Sequence, residues 1–503
     1  MKDLDRVSKL AERYTMETRI KAFHLMFFNK GLSDATSDRF VVDKNIIDSL
    51  KNSIAISFYA ITSPVTKQSL QADFVKLQNR LVSLINSFSK TSIRKNYPRD
   101  DSDIFLDSSF AVSNSNLEYI SSWQWIEFFE FFDNTIASLF KVENSSNLVK
   151  YVIANELNPD IPHESFEHGV LSRMTDEEVK TLGENSWTLQ ELTEEMRKVD
   201  SVQDAYNVLR KKLLPMVFDR GQLLYTPRQH GSFQITMEHM FLTQQGKPQQ
   251  RIQKEFANYV ANVISKELAR IDSDVRIFTH YRVEVNGANP EQGPEQDLLV
   301  QSDGFNWIVE IKAAGIKLGL PNVSYAKKKL QTTYDTHALK ASQQINRVTD
   351  AIQNGKKLYT GAGESKVYID IPEPIKGMIG VIVTLWNFSL LAHQQGLFSS
   401  QENDVYPMFT VFDFQYLLKS MSKTSDYADL MAYLQCRVAN SEQIVAVDYD
   451  ELNYYDVYKN DSGIKLPSGR IINGSKTPRV VSYVDQLVKE QLHDKIGPFI
   501  DHN

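Results

Sequence analysis

Residues 307–314 read WIVEIKAA, an apolar run with Glu310 and Lys312 set two apart inside it. Side chains alternate between the faces of a strand, so Ile308, Glu310 and Lys312 share one face and Val309, Ile311 and Ala313 the other. A charge in a packed interior is costly, and even an ion pair often does no better there than apolar packing. A strand this apolar therefore carries Glu310 and Lys312 only where something compensates them, such as a metal ion and a polar substrate.

The neighbouring sequence supplies a second carboxylate. DLLVQ (297–301) reads as a short strand, SDG (302–304) as a tight turn, and FNWIVEIKAA as its hairpin partner. Such a hairpin brings Asp297 beside Glu310. Two converging carboxylates repel each other unless a cation lies between them, and hard oxygen ligands favour Mg²⁺ or Mn²⁺. Lys312, on the same face, reaches a metal-bound water or the charge developing on a phosphate.

Further out, KEFANYVANVISKELA is an amphipathic helix with Phe256, Tyr259, Val260, Val263, Ile264 and Leu268 on one side. VRIFTHYRVEV (275–285) alternates as a strand, HALKASQQINRVTDAIQNG reads as a helix, and GMIGVIVTLW (377–386) as a buried strand. YPMFTVFDF (406–414) reads as another strand, followed by helices in FQYLLKSM and SDYADLMAYLQCRV. GKPQQRIQ, from residue 246, reads as a linker.

Asp297, Glu310 and Lys312, in the order helix, three-stranded meander, helix, strand, resemble the PD-(D/E)XK nuclease superfamily. The resemblance covers roughly residues 250–390, extending toward 440. It implies a restriction-endonuclease-like α/β core, a mixed sheet flanked by helices, and hydrolysis of phosphodiester bonds. It further implies that Asp297, Glu310 and the Ile311 carbonyl hold Mg²⁺ or Mn²⁺, and that Lys312 positions the attacking water. Glu255, with Glu267 second, matches the glutamate that many members carry on the first helix, and Gln344 the glutamine that some carry on the helix after the motif. Two departures stand out: Pro294 lies three residues before Asp297 instead of directly before it, and Val348 stands where some branches have Tyr.

Between Gly315 and Arg347 six basic residues (Lys317, Lys327, Lys328, Lys329, Lys340, Arg347) face one acid, Asp335. In a chain of net charge −7 that is a local reversal of sign, suited to phosphate contacts with a nucleic acid, DNA favoured.

The first 245 residues read mainly as helices. Phe74, Leu77, Leu81, Leu84 and Phe88 form one stripe, and Val202, Ala205, Val208 and Leu209 another, with Ser201 as its cap. Thr175–Glu178 and Thr188–Glu191 match the capping-box pattern. WQWIEFFEFFDNTIASLF (123–140) is apolar nearly all round, as a central buried helix or a subunit interface would be. The expected organisation is a helical regulatory or interaction region (1–245), the nuclease domain (246–440) and a small C-terminal region (441–503).

With 503 residues, 42% apolar and 24% charged, the composition is that of a globular protein. A single cysteine, Cys436, excludes an intrachain disulfide, and no segment resembles a signal peptide or membrane span, so a cytoplasmic protein is expected. His163, His168 and His239 lack zinc spacing, and no phosphate-binding loop of the nucleotide triphosphatases occurs. A large helical region on such a nuclease resembles prokaryotic anti-phage effectors, in which the extra region gates the site; a homo-oligomer, with or without a partner protein of the same system, is expected. The alternative is an inactive nuclease fold that serves as a nucleic-acid-binding or protein-interaction scaffold.

Overall fold

The computed structural model describes residues 3–20, 22, 23, 54–66, 76, 77, 79–81, 83, 84, 183, 185–220, 222–225, 239, 247–284, 294–313, 331–361, 365–385, 405–439, 455 and 458. The chain divides into two compact units, Met1–Gln250 with Ser475–Asn503, and Arg251–Gly474. The aromatic stretch 123–140, the basic residues Lys317, Lys327, Lys328 and Lys329, the Thr175 capping pattern and nearly all of 441–503 lie outside the described residues.

In the first unit, helix α1 (Asp3–Ala11) and helical residues 54–61 share a core with Leu77, Leu81 and the segment from Trp187 to Val217. Strand β1 (Trp187–Thr188) leads straight into α2 (Leu189–Met196). The expected capping box is present: Thr188 Oγ1 accepts from Glu191 N at 3.1 Å, and Thr188 N donates to Glu191 Oε2 at 3.1 Å. Ser201 caps α3 (Val202–Leu209) in the same way, accepting from Asp204 N. Ala205, Val208 and Leu209 are buried, as their spacing predicts. This unit is not purely helical: β1 pairs in parallel with β2 (Val217–Asp219), which pairs antiparallel with β3 (Gln222–Tyr225). Strands this short carry too few alternations to leave a period in the sequence.

The centre of this core holds a charge. Arg19 is fully buried and spends its guanidinium on backbone carbonyls: Nε donates to Ala11 O (2.8 Å) and Tyr14 O (2.9 Å). Nη1 donates to Ala60 O (3.0 Å) and Ser63 O (2.6 Å), and Nη2 to Pro64 O (2.7 Å). Burial pulls its pKa down to about 10, which leaves it charged at neutral pH.

The second unit is built on α4 (Lys247–Ala269), β4 (Arg276–Val283), β5 (Glu295–Ser302), β6 (Phe305–Lys312), α5 (Lys340–Gln353), β7 (Leu358–Thr360), β8 (Val367–Ile369), β9 (Gly377–Thr384), β10 (Met408–Thr410), α6 (Val411–Ser420) and α7 (Asp426–Ala439). The strands form one mixed seven-stranded sheet in the order β10-β9-β6-β5-β4-β7-β8. The β4-β5-β6 meander is antiparallel; β9 joins β6 in parallel after the α5 crossover. Helices flank both faces. Trp307 stacks edge-on to Phe414 of α6 and Tyr427 of α7 on one face, while Ile345 of α5 lies over Gly380 on the other. The α/β class with a mixed, helix-flanked sheet is therefore present.

Three elements differ from expectation. GKPQQRIQ supplies the first turns of α4 instead of a linker, because a proline in the first turn of a helix forfeits no intrahelical bond. In YPMFTVFDF only Met408–Thr410 is strand; Thr410 Oγ1 accepts from Asp413 N (3.1 Å) and starts α6, a cap that outweighs the apolar β-type run. Strands β7 and β8 extend the sheet beyond the meander and were not legible at three residues each.

Gly380 is a close approach. A Cβ there would lie 2.5 Å from both Ile345 Cγ2 and Tyr406 Cε1. Gly380→Ala is expected to destabilise the second unit by about 1–3 kcal/mol through overpacking. Thermal melts check this, and an unchanged midpoint would mean that α5 can shift freely.

Candidate functional site

The β5–β6 hairpin turns tightly through Asp303 (φ 45°) and Gly304 (φ 75°) and pairs regularly from Ser302↔Phe305 to Leu298↔Val309. Two further steps along that register would set Ile311 opposite Gln296 on the next ladder rung. Instead Ile311 N donates to the Asp297 carboxylate, with Oδ2 at 2.7 Å. A side chain has taken a backbone partner's place, and the two strands part there. The N–H and C=O of a strand residue lie on the same edge, so the Ile311 carbonyl also faces β5, while the Lys312 carbonyl faces β9 and accepts from Leu385 N (3.1 Å).

Asp297, Glu310 and Lys312 meet at this opening. Lys312 Nζ is 3.0 Å from Glu310 Oε2 and 3.7 Å from Asp297 Oδ2. Glu310 is fully buried, and its Oε1 has no hydrogen-bond partner. Burial first, then the charge of Asp297, pushes its pKa up to about 8 against the opposing pull of Lys312. A buried carboxylate with one unsatisfied oxygen, beside a second carboxylate, is an unfinished electrostatic arrangement.

Other elements converge on it. Residues 335–339 form a π-helical turn that runs directly into α5, a distortion frequent at functional sites. His337 in that turn has its pKa pulled down to about 4, by burial and then by the Lys312 charge, so it is neutral and close to the lysine. Tyr281 on β4 is fully buried; burial, then the charges of Glu310 and Asp297, raise its pKa and keep it a neutral phenol. Beside it His280 holds a left-handed backbone (φ 53°) across from Asp297, between the pairs Thr279↔Leu298 and Tyr281↔Gln296. Such a conformation is costly for a residue with a side chain and clusters at functional sites. Neither His337 nor Tyr281 was singled out from the sequence; the alternation of VRIFTHYRVEV marked Tyr281 as a strand residue, but no spacing ties either to the carboxylates.

The remaining candidates are distributed as follows. Gln344 is half-buried on α5 and makes no hydrogen bond to Asp297, Glu310 or Lys312. Lys340 and Arg347 are exposed on the same helix. Glu255 is half-buried on α4, and Glu267 is engaged with Gln415 (3.4 Å) and Arg270 (3.8 Å) beside α6. Among the described residues no three His, Cys, Asp or Glu side chains form a metal-holding group, so Glu255 does not complete one with Asp297 and Glu310.

The oxygen set fits a hard divalent cation in kind: the carboxylates of Asp297 and Glu310, the latter with its orphaned Oε1, and an adjacent backbone carbonyl, with water to complete the shell. At the opposite end of the hairpin a hollow of about 570 Å³, lined by Arg276, Gln301, Asp303, Asn306 and Pro372 among others, lies away from these groups. No helix among the described residues is long and apolar enough to cross a membrane. Comparison with protein-family models, curated proteins and solved structures finds no match for this chain.

Proposed function

We propose that the second unit is a metal-dependent nuclease of the PD-(D/E)XK type that hydrolyses phosphodiester bonds, with DNA the favoured substrate. The observation that carries this reading is the meeting of Asp297, Glu310 and Lys312 where β5 and β6 part, with Glu310 Oε1 buried and unsatisfied. Asp297, Glu310 and the Ile311 carbonyl would hold Mg²⁺ or Mn²⁺. Such an ion, when bound, lowers the pKa of a coordinated water and stabilises charge on a scissile phosphate. Lys312, released from its carboxylates, positions the attacking water and faces the phosphate. Lys340 and Arg347, exposed on α5, supply phosphate contacts.

A second reading is an inactive fold. It is favoured by Lys312 itself, which already occupies the space between Glu310 and Asp297 as a structural partner of both, and by the missing third acid among the described residues. The defining experiment is cleavage of plasmid, linear duplex, single-stranded DNA and RNA with Mg²⁺ or Mn²⁺. Asp297→Asn and Glu310→Gln are each expected to reduce cleavage about 10²–10⁴-fold, the loss of several kcal/mol of transition-state stabilisation. Equal cleavage by both variants would reject the site. No cleavage by wild type, with no metal uptake that depends on Asp297, would select the inactive fold.

A further inference from the structure

The β7–β8 hairpin lies on the edge of the sheet, and its outer strand carries the exposed Val367 (62%) and Tyr368 (49%). Pairing registers link this edge to the carboxylates. Glu295 on β5 is opposite Arg282, Arg282 is opposite Tyr359, and Tyr359 is opposite Tyr368. Residues in register share a face, and Asp297 is two residues from Glu295, so the whole row lies on the face of Asp297 and Glu310.

The row ends in an aromatic ring with cations above it. Lys357 Nζ is 4.9 Å from the Tyr368 ring centroid; Lys366 Nζ is 4.6 Å from it and 4.0 Å from that of Tyr359. The Tyr368 hydroxyl donates to Glu284 Oε1 (3.0 Å), which also accepts from Lys366 (3.1 Å). The ring is thus fixed in orientation from its hydroxyl end while its plane faces two ammonium groups, of which Lys366 is also paired with Glu284. Three strand spacings of about 4.8 Å separate β8 from β5, roughly 14 Å. That is close to four steps of a nucleic-acid strand at about 3.4 Å each.

We propose that the β7–β8 hairpin binds a single-stranded stretch of the nucleic-acid substrate, with an unpaired base stacked on Tyr368 and the adjoining phosphates met by Lys357 and Lys366. This assignment rests on the nuclease reading for the path of the strand. The base takes the place of an ammonium over the ring, and the displaced ammonium meets the phosphate next to that base. A base pair inside a duplex already has stacked neighbours on both faces, so the ring is open to an unpaired base and closed to a duplex interior. Aromatic stacking with flanking cations is the general means of holding single strands without sequence preference. Addition of a protein strand is less suited to this edge, which is short and guarded by lysine.

The test is fluorescence anisotropy of full-length protein in EDTA with a labelled oligothymidylate and a long, fully paired two-strand duplex without loops. Tyr368→Ala is expected to weaken oligothymidylate binding about 5- to 150-fold, the range of one lost stack. Tyr368→Phe should retain it, and duplex binding should change little. The assignment is overturned if wild type does not bind the single strand, if Tyr368→Ala binds it like wild type, or if Tyr368→Phe loses as much as Tyr368→Ala. It is equally overturned if the alanine variant changes only self-association in sedimentation, which would make the edge a subunit interface. Cleavage assays on the same proteins separate the two readings. Metal-dependent cutting by wild type, with single-strand binding indifferent to Tyr368, leaves the nuclease standing alone. Tyr368-dependent binding without cutting leaves the hairpin standing alone.

Discussion

Lys312→Met is expected to destabilise the second unit by about 1–3 kcal/mol in the absence of divalent metal, the cost of leaving a buried polar group without its hydrogen-bond partner. Among the described residues Lys312 is the cation in contact with both Asp297 and Glu310, and its side chain is only 17% exposed. Methionine keeps most of its length and its apolar stem but removes the cation that favours the charged form of Glu310, so the carboxyl beside Asp297 is driven further toward its protonated form and loses its hydrogen-bond donor. Adding Mn²⁺ should then restore much of the lost stability, because the metal no longer competes with an ammonium for the same oxygens. Cleavage should nevertheless stay low, since the group that positions water is gone. Melting curves with and without Mn²⁺, read beside cleavage rates, check all three consequences. A variant that melts like wild type and ignores Mn²⁺ would show that Asp297 and Glu310 do not share a cation site. One that cuts at the wild-type rate would remove Lys312 from the chemistry.

Arg19→Met should destabilise the first unit by about 4–5 kcal/mol, among the largest effects of any single substitution. The guanidinium serves five carbonyls that belong to two separate stretches of chain, Ala11 and Tyr14 on one side and Ala60, Ser63 and Pro64 on the other. Methionine fills much of the volume but removes the guanidinium's donors; Ala11 O and Ala60 O keep the backbone amides of Tyr14 and Ser63, while a carbonyl left without a partner costs about 1–3 kcal/mol where no water can enter. Arg19→Lys should recover only part of the loss, because a single ammonium cannot reproduce a planar fork of five donors. Chemical denaturation followed by circular dichroism measures the difference. Equal stability of the methionine variant would mean that water replaces the guanidinium without penalty.

The residues that declare themselves in the sequence are those whose partners are near in the chain. Asp297, Glu310 and Lys312 sit on two adjacent strands joined by a tight turn, and alternation alone sets them on one face. Ala341 and Val348, seven apart on α5 with Gln344 between them, are likewise a local pattern, and both are buried. His337 leaves no signal because its proximity to Lys312 comes from tertiary packing that no spacing encodes, and Tyr281 none because its place depends on the register of β4 against β5. The left-handed His280 shows no signal either, since nothing in THY demands that backbone. YPMFTVFDF misled because an apolar run suits a buried strand and a buried helix equally, and one threonine cap decided between them. Arg19, an arginine in a polar-looking segment, gave no hint that it lies at the centre of a core.

The parallel pairing of β6 with β9 has a consequence for the order of assembly. The β5–β6 hairpin closes over a two-residue turn, whereas β9 reaches β6 only after the chain has passed through α5 and the β7–β8 hairpin. Local contacts repay their loop entropy early and distant ones late. Asp297, Glu310 and Lys312 are thus brought together by local pairing, whereas the burial of Glu310 depends on the distant elements β9 and α5. The pairing that positions the two acids is therefore separable from the packing that desolvates one of them: a change at the β6–β9 seam alters how far Glu310 is shielded from water without altering which residues stand opposite it.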